Sequence, residues 1–321
     1  MRIVTSSRLH FGFIDPFGDM GRIYGSIGVA IERPCWIVEV DPYSSFSVET
    51  KSKEVKNKII NIAEKIKKHY KKELNIKIKI ISDVPLHQGL GAGTQLSLAV
   101  SEGILKSLHL LYGKDDIIKF SGRGERSGIG IMAYFSGGFN LDAGKSLKTP
   151  SVPLPLFHVD FPDEWLFLLV LPSIEVKVHG DDEKTKFSLL KKINTKEISY
   201  IVLMGLLPSL IDNDIEGFGK SLTMIQEKVG EMFSVSQGGI FAHSICKKII
   251  EFMLRNGVFG AGQSSWGPII YGLVKKGKTS CNIKKKVNEY ISFNGIKGKT
   301  WLVRANNNGR TIILGEHNAD N

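Results

Sequence analysis

Cysteine is the first scarcity: the 321 residues hold only three, Cys35, Cys246 and Cys281, far apart and without metal-ligand spacing. That excludes a disulfide framework and a cysteine-based metal site, and it points to a reducing compartment. Long apolar runs are missing too. "WLFLLVLP" and "ISYIVLMGLLPSLI" are too short to span a bilayer, and Pro208 interrupts the second. The chain opens on no signal-peptide pattern, so the expectation is a cytoplasmic protein with no membrane partner. Arginine is sparse, and the net charge of +11 is carried mostly by lysine, in Lys51–Lys79 and Lys275–Lys299. Those lysines are mixed with Ile, Leu and Val, which reads as solvated outer faces. No aromatic-interleaved basic ribbon or zinc-finger spacing occurs, so no nucleic-acid partner is expected.

What is present is an ordinary globular composition, 42% hydrophobic, in a chain long enough for two lobes. β-Branched stretches bounded by Gly, Pro and Asp mark the first third as strands, interrupted by an amphipathic helix over Lys53–Lys72. "NIKIKIIS" alternates as a half-buried strand, and Gly93–Leu111 returns to helical spacing. The proline-rich "KTPSVPLPLF" suggests a boundary, with an N-terminal lobe over 1–150 and a C-terminal lobe over 151–321. Beyond it "WLFLLVLP" reads as a buried strand. Helices are expected around Thr185–Lys192, Lys196–Leu207, Asp214–Gly230, Gly239–Asn256 and Asn282–Ile291, with strands near Thr300–Ala305 and Arg310–Leu314. Interleaved helices and strands in both halves imply an α+β or α/β fold.

Five stretches concentrate chemistry. The first, "VPLHQGLGAGTQLSLAV", joins a strand to a helix start through Gly89, Gly91 and Gly93, preceded by His87. A helix amino end exposes unpaired N–H groups and the positive end of the macrodipole, which favour phosphate, and Thr94, Gln95 and Ser97 add donors. No Gly-Lys-Ser/Thr follows, so it is not a P-loop, and a plain tight turn explains the glycines equally well. The second, Ser6–Gly28, gathers Arg8, His10, Asp15 and Arg22 among strands and turns. Arginine clamps carboxylate or phosphate, and aspartate can hold Mg²⁺ or act as a base, while His10 fits a hydrogen-bonded core histidine as well as a ligand. In the third, "GRGERSGIG", Arg123 and Arg126 are either anion clamps or surface ion-pair partners. The fourth, "VHGDDE", offers His179, Asp181, Asp182 and Glu183 either to Mg²⁺ or as the acidic first turn of a helix. The last, "GAGQSSWG", can bring Gly260, Gly262, Gln263 and Ser264 close to a ligand.

In this order, these motifs resemble those of the GHMP kinase superfamily. That family has a central Pro-x-x-x-Gly-Leu-Gly-Ser-Ser-Ala loop, which Pro85 and Gly89-Leu90-Gly91-Ala92-Gly93-Thr94 follow, and a C-terminal glycine motif, which Gly260-Ala261-Gly262 follows. "SRLHFGFID", "GRIYGSIGVAI", "GLGAGTQLSLAV", "GRGERSGIG", "HGDDE" and "GVFGAGQSSWGP" are most similar to the β-ribofuranosylaminobenzene 5′-phosphate synthase branch, over nearly the whole chain. The resemblance implies a two-lobed fold, with an N-terminal lobe like domain 2 of ribosomal protein S5 and a ferredoxin-like C-terminal lobe. It also implies condensation of phosphoribosyl pyrophosphate with 4-hydroxybenzoate or 4-aminobenzoate, with loss of CO₂ and pyrophosphate, Mg²⁺ as cofactor, and a homodimer.

Two departures separate the chain from the kinases. Those with an aspartate base carry it about seven or eight residues before a Gly-Gly pair, where this chain has Ile129-Gly130 ahead of Gly137-Gly138. The central loop also ends in Gly-Thr-Gln rather than Ser-Ser-Ala. On the synthase reading, Asp15, Arg22 and His10 are the catalytic candidates. Arg8, His87, Gly89, Gly91, Gly93, Thr94, Gln95, Ser97, Arg123, Arg126, Gly260, Gly262, Gln263 and Ser264 hold substrate and phosphate, and Asp181, Asp182 and Glu183 hold the metal. An ATP-dependent small-molecule kinase of the same fold is the alternative, and a basic nucleic-acid-binding protein on that fold is a third reading.

Overall fold

The lysine-rich helix shows how the pattern becomes structure in this computed structural model, which describes residues 1–149, 151–174 and 181–314, with only the backbone for 181–184. Ser52 caps the helix by accepting the Val55 N–H at 3.3 Å, and Val55, Ile59, Ile62, Ala63 and Ile66 form its buried stripe. It is α1 (Lys53–Tyr70) of a run that begins with β1 (Arg2–Val4), β2 (Ser7–Asp15), β3 (Arg22–Ile31), β4 (Ile37–Pro42) and β5 (Ser47–Glu49). After α1 come β6 (Ile76–Ser82), α2 (Ala92–Ser107), α3 (Lys114–Ser121), α4 (Ile129–Phe135), β7 (Phe139–Asp142), β8 (Lys145–Ser146) and β9 (Pro155–Val159).

The second half supplies β10 (Trp165–Pro172), α5 (Asp181–Ser188), α6 (Lys196–Ile201), α7 (Leu207–Ile211), α8 (Ile215–Gln237) and α9 (Ser244–Arg255). Then follow β11 (Gly260–Gln263), β12 (Ile270–Lys275), α10 (Lys278–Phe293), β13 (Gly298–Arg304) and β14 (Thr311–Ile313). A π-helical turn at Val202–Leu206 joins α6 to α7, with Pro208 in the first turn of α7, where a missing N–H costs nothing. The expected helix at Gly239–Asn256 starts later, at Ser244, because Gly238 ends α8 in the left-handed region and His243 caps α9. Gly230 does not end α8. A Cβ there would stand 2.4 Å from the Ile240 carbonyl oxygen, so the glycine lets the following loop press against the helix.

Three sheets result. One runs β14-β1-β4-β6-β5, a second β2-β3-β7-β9 with β8 beside β3, and the third β11-β12-β10-β13. In chain order the third sheet is 4-1-3-2 with helices between its strands, the ferredoxin-like arrangement expected for the C-terminal lobe. The 150/151 boundary falls between β8 and β9, yet β9 still pairs with β7 and β14 returns to β1. Both halves therefore contribute to the first lobe. The lobes share one core, in which Phe11 of β2 meets Tyr271 at 5.2 Å and Phe167 at 6.1 Å between ring centroids. β10 reads as a continuous apolar run because helices and sheet neighbours bury it on both faces.

The returning segment is clamped by a buried ion pair. Arg310 donates to both oxygens of the buried Glu102 carboxylate, at 2.7 and 2.9 Å, and the Tyr134 hydroxyl donates to it at 2.5 Å. Removing the guanidinium strands a charge inside the protein. Arg310→Ala is expected to cost about 3 kcal/mol in urea-induced unfolding, and a loss under 1 kcal/mol would show that the clamp is dispensable.

Candidate active site

Three loops converge at the amino end of α2. Gly89 and Gly91 lie at φ +85° and +72°, and His87 at +57°, so the chain enters the helix through left-handed turns. Space matters as much as φ. A Cβ on Gly89 would sit 2.3 Å from the Ser264 carbonyl oxygen, and one on Gly91 would sit 2.9 Å from Arg8 Cγ. The Gly89 carbonyl oxygen accepts from Arg8 Nη1 at 2.6 Å and from Ser264 Oγ at 2.6 Å, and Ser264 Oγ in turn accepts the His10 N–H at 2.9 Å. Trp36 Nε1 donates to the Ala92 carbonyl at 2.9 Å from the other side. With its carbonyls pinned this way, the loop leaves the first N–H groups of α2 facing outward as an anion cradle.

Cations surround that cradle. Arg8, Lys58, His87, Thr94 and Arg123 line it together with Gly89–Gly93, and a Cβ on Gly93 would lie 3.3 Å from Lys58 Nζ and 3.4 Å from Arg123 Nη2. Burial, then the nearby Arg123 guanidinium, pushes the Lys58 ammonium below the usual lysine range. Two like charges held this close to a helix amino end are stabilised by a bound polyanion. The sequence pattern counts Lys58 among the solvated lysines of α1. The signal was available, because it lies three residues after Val55 and four before Ile62, both on the buried stripe.

The other expected site residues divide. Ser97 Oγ donates to the Gly93 carbonyl at 2.8 Å and accepts from Arg123 Nη2 at 3.3 Å, so it positions the guanidinium. Gln95 is buried and points away from the cradle, its Nε2 donating to the Gly130 carbonyl at 2.7 Å. His87 pairs with Glu54 at 2.8 Å at the rim. Arg126 stands over the Phe187 ring, 4.5 Å from its centroid. Gly260 and Gly262 permit the close packing of β11 on α8, where Cβ atoms would meet the Gly219 oxygen at 2.2 Å and Gln226 Cγ at 2.3 Å. Gln263 holds the following turn, donating to the Ser265 carbonyl at 3.0 Å. The structure does not bring Asp15 and Arg22 to the cradle. Asp15 accepts the N–H groups of Phe17, Gly18 and Asp19 at 3.0 to 3.3 Å, Arg22 donates to the Ala143 and Gly144 carbonyls at 2.7 Å, and both line a separate depression with Met20 and Leu203. Asp181, Asp182 and Glu183 begin α5, and their side chains, like His179, lie outside the described residues.

Beside the cradle runs a narrow aromatic cleft lined by His10, Phe13, Phe233, Gln263, Ser265 and Trp266, the last two shared with the cradle. Phe233 and Trp266 meet edge to face at 4.9 Å. His10 lies at the base, its Nε2 3.1 Å from Ser127 Oγ, and burial first, then Arg8, pushes its imidazolium well below the ordinary range, so the ring is neutral. The resemblance implies a Mg²⁺ ion. Among the described residues, the charged side chains lining the cradle are cations, and no group of three His, Cys, Asp or Glu side chains can hold a metal; the side chains of the expected ligands Asp181, Asp182 and Glu183 lie outside them.

A two-lobed fold with an anion cradle at the start of a central helix defines a GHMP-type protein, and comparison with known proteins agrees. Residues 57–138 match the GHMP kinases N terminal domain and 206–292 match the GHMP kinases C terminal domain. The mevalonate kinase of L. major, solved with R-mevalonate, shares the fold at a TM-score of 0.68 and 16% identity, over 95% of this chain and 96% of that one. Two curated relatives are nearer in sequence. The β-ribofuranosylphenol 5′-phosphate synthase of Methanothermobacter thermautotrophicus is 32% identical over 84% of this chain and 88% of its own length. That of Methanocaldococcus jannaschii is 32% identical over 97% of this chain and 100% of its own. The chain belongs to the GHMP kinase family and, within it, to the family of these synthases.

The cradle itself can be tested without a substrate. Pyrophosphate is expected to raise the thermal unfolding midpoint of the protein, and the Lys58→Ala/Arg123→Ala variant should lose that protection. Because anion binding favours charged Lys58 and its pKa is depressed, protection should fade as pH rises, and do so below the range where ordinary lysines titrate. Equal protection of the double variant would place the anion elsewhere.

Proposed function

We propose that the protein joins phosphoribosyl pyrophosphate to a para-substituted benzoate, releasing pyrophosphate and CO₂ and leaving a ribose carbon bonded to the ring. The observation that carries this reading is the pairing of a cationic cradle with an aromatic cleft across the shared wall of Ser265 and Trp266. The product named for the relatives, a ribofuranosylphenol 5′-phosphate, contains the two pieces that such a pair of subsites would hold, and it favours 4-hydroxybenzoate over 4-aminobenzoate.

The chemistry places specific demands on the protein. Departure of pyrophosphate from the ribose C1 leaves positive character on the sugar and negative charge on the leaving group. Arg8, Lys58, Arg123 and the N–H groups at the start of α2 offset that negative charge from fixed positions, which is where preorganised donors are most effective. Thr94 adds a hydroxyl at the same place. Mg²⁺ on the diphosphate would be held by Asp181, Asp182 and Glu183 at the start of α5. The para hydroxyl makes the ring carbon nucleophilic, so no covalent enzyme intermediate is required. The cleft has a volume of only about 30 Å³, well under the ~150 Å³ in which an apolar cavity takes benzene. Entry of the ring therefore requires the cleft to widen. Asp15 and Arg22 act in this proposal by holding the turns after β2 and β7 rather than at the cradle. Two copies of the chain forming a homodimer also remains part of the proposal.

The kinase alternative shares the fold, but among the described residues no carboxylate lines the cradle or the cleft to serve as the base for a substrate hydroxyl. The direct test incubates pure protein with Mg²⁺, phosphoribosyl pyrophosphate and 4-hydroxybenzoate, and measures pyrophosphate and CO₂. One of each is expected per turnover. No release from either 4-hydroxybenzoate or 4-aminobenzoate, with ATP consumed on an alcohol instead, would overturn the reading.

A further inference from the structure

Behind His10 a chain of buried polar groups runs away from the cleft. His10 Nε2 lies 3.1 Å from Ser127 Oγ, Ser127 Oγ lies 2.7 Å from Ser26 Oγ, and Ser26 Oγ donates in a short hydrogen bond to Asp142 Oδ2. Asp142 also accepts the Gly128 N–H at 2.9 Å and the Gly144 N–H at 2.8 Å. Burial leaves its carboxyl above the usual carboxylate range, and these three donors offset only part of that. With three donors aimed at it, the carboxylate is the acceptor that ends the chain.

Proton counting then fixes every link. Each hydroxyl has one proton to donate. Ser26 gives its proton to Asp142, so the short contact between the two serines needs the proton of Ser127. Ser127 has none left for the imidazole, and it already accepts the Ile129 N–H at 3.2 Å. Its contact with His10 therefore needs a proton on Nε2. The ring is neutral, so Nδ1 carries a bare lone pair. No described residue donates to Nδ1, and the ring lines the cleft beside Phe13, with centroids 4.9 Å apart.

We propose that Asp142, acting through Ser26 and Ser127, is a positioning group that holds His10 as its Nε2–H tautomer, so that Nδ1 accepts the para-hydroxyl proton of an aromatic acid in the cleft. The tautomer stands on the hydrogen-bond chain together with the burial that keeps the ring neutral, and the identity of the proton rests on the synthase reading. As the ring carbon bearing the carboxylate bonds to the ribose C1, the para O–H becomes the O–H of a protonated ketone. That is a far stronger acid than a phenol, so a weakly basic imidazole suffices to take the proton. When the carboxylate leaves as CO₂, its bonding pair returns to the ring and the para oxygen recovers the proton from Nδ1. No proton is gained or lost overall, and the enzyme is ready for another turn.

The test is a long-range proton–nitrogen correlation spectrum of the ¹⁵N-labelled protein without ligand, with the His10 ring signals assigned by their loss in His10→Gln. The expected spectrum shows an unprotonated Nδ1 and a protonated Nε2. Ser127→Ala should move both signals toward a mixture of tautomers and lower kcat on the order of tenfold, with the KM for phosphoribosyl pyrophosphate unchanged. Ser127→Thr, which keeps the hydroxyl, should restore the spectrum and the rate, and this guards against a mere folding defect. A wild-type proton on Nδ1, or a Ser127→Ala spectrum identical to wild type, overturns the positioning role. An Nε2–H tautomer in a protein that turns over no aromatic acid overturns the assigned proton and the synthase reading together, while the Asp142 chain stands.

Discussion

The Gly89 carbonyl oxygen, with two donors on it, is the contact on which the site depends. Arg8 comes from the first lobe and Ser264 from the C-terminal glycine loop of the second, and both reach that oxygen at 2.6 Å. By fixing where the carbonyl points, they fix where the following N–H groups point. The same Ser264 hydroxyl accepts from the backbone of His10, so the imidazole is placed relative to the cradle by one shared atom. A cradle for a polyanion and a neutral base beside it are thus positioned by one small hydrogen-bonded knot across the lobe junction. Neither lobe could build that site alone, which gives the common core around Phe11, Phe167 and Tyr271 a functional reason.

Electrostatics and burial divide the work on either side of that knot. On the cradle side, Lys58 and Arg123 are crowded together, and their mutual repulsion is relieved when an anion arrives. On the cleft side, burial keeps His10 uncharged, and a carboxylate three links away orients it without placing negative charge in the cleft. A carboxylate next to the aromatic acid would repel the acid's own carboxylate. Setting Asp142 behind two serines keeps its orienting effect and removes most of that penalty.

The fold was largely legible in the sequence because its elements follow simple periods. Alternation in "IKIKIIS" and the apolar stripe of α1 correspond to elements of the structure. The glycine loop was legible for the same reason, since strand, glycines and helix follow one another directly in the chain. What escaped the sequence was whatever depends on distant pieces meeting. Lys58 looked like one solvated lysine among many until α1 packed beside α2. Ser26, Ser127 and Asp142 come from β3, a turn and β7, and nothing in their spacing links them. The buried carboxylate of this segment, Asp142, lies just downstream of Gly137-Gly138, not upstream where the kinases carry theirs. Polarity between turns singles out Asp15 and Arg22, yet the visible polar contacts of Asp15 are the N–H groups of its own turn, and those of Arg22 are carbonyls of the turn after β7.

The central claim is that a diphosphate and an aromatic acid occupy adjoining subsites on the two sides of Trp266. A crystal structure of the protein with pyrophosphate and 4-hydroxybenzoate tests it most directly. The account predicts the diphosphate between Lys58, Arg123 and the amino end of α2, with the ring seated beside Phe13 and its hydroxyl at His10 Nδ1. A diphosphate bound in the depression at Asp15 and Arg22, or two ligands competing for one position, would contradict it.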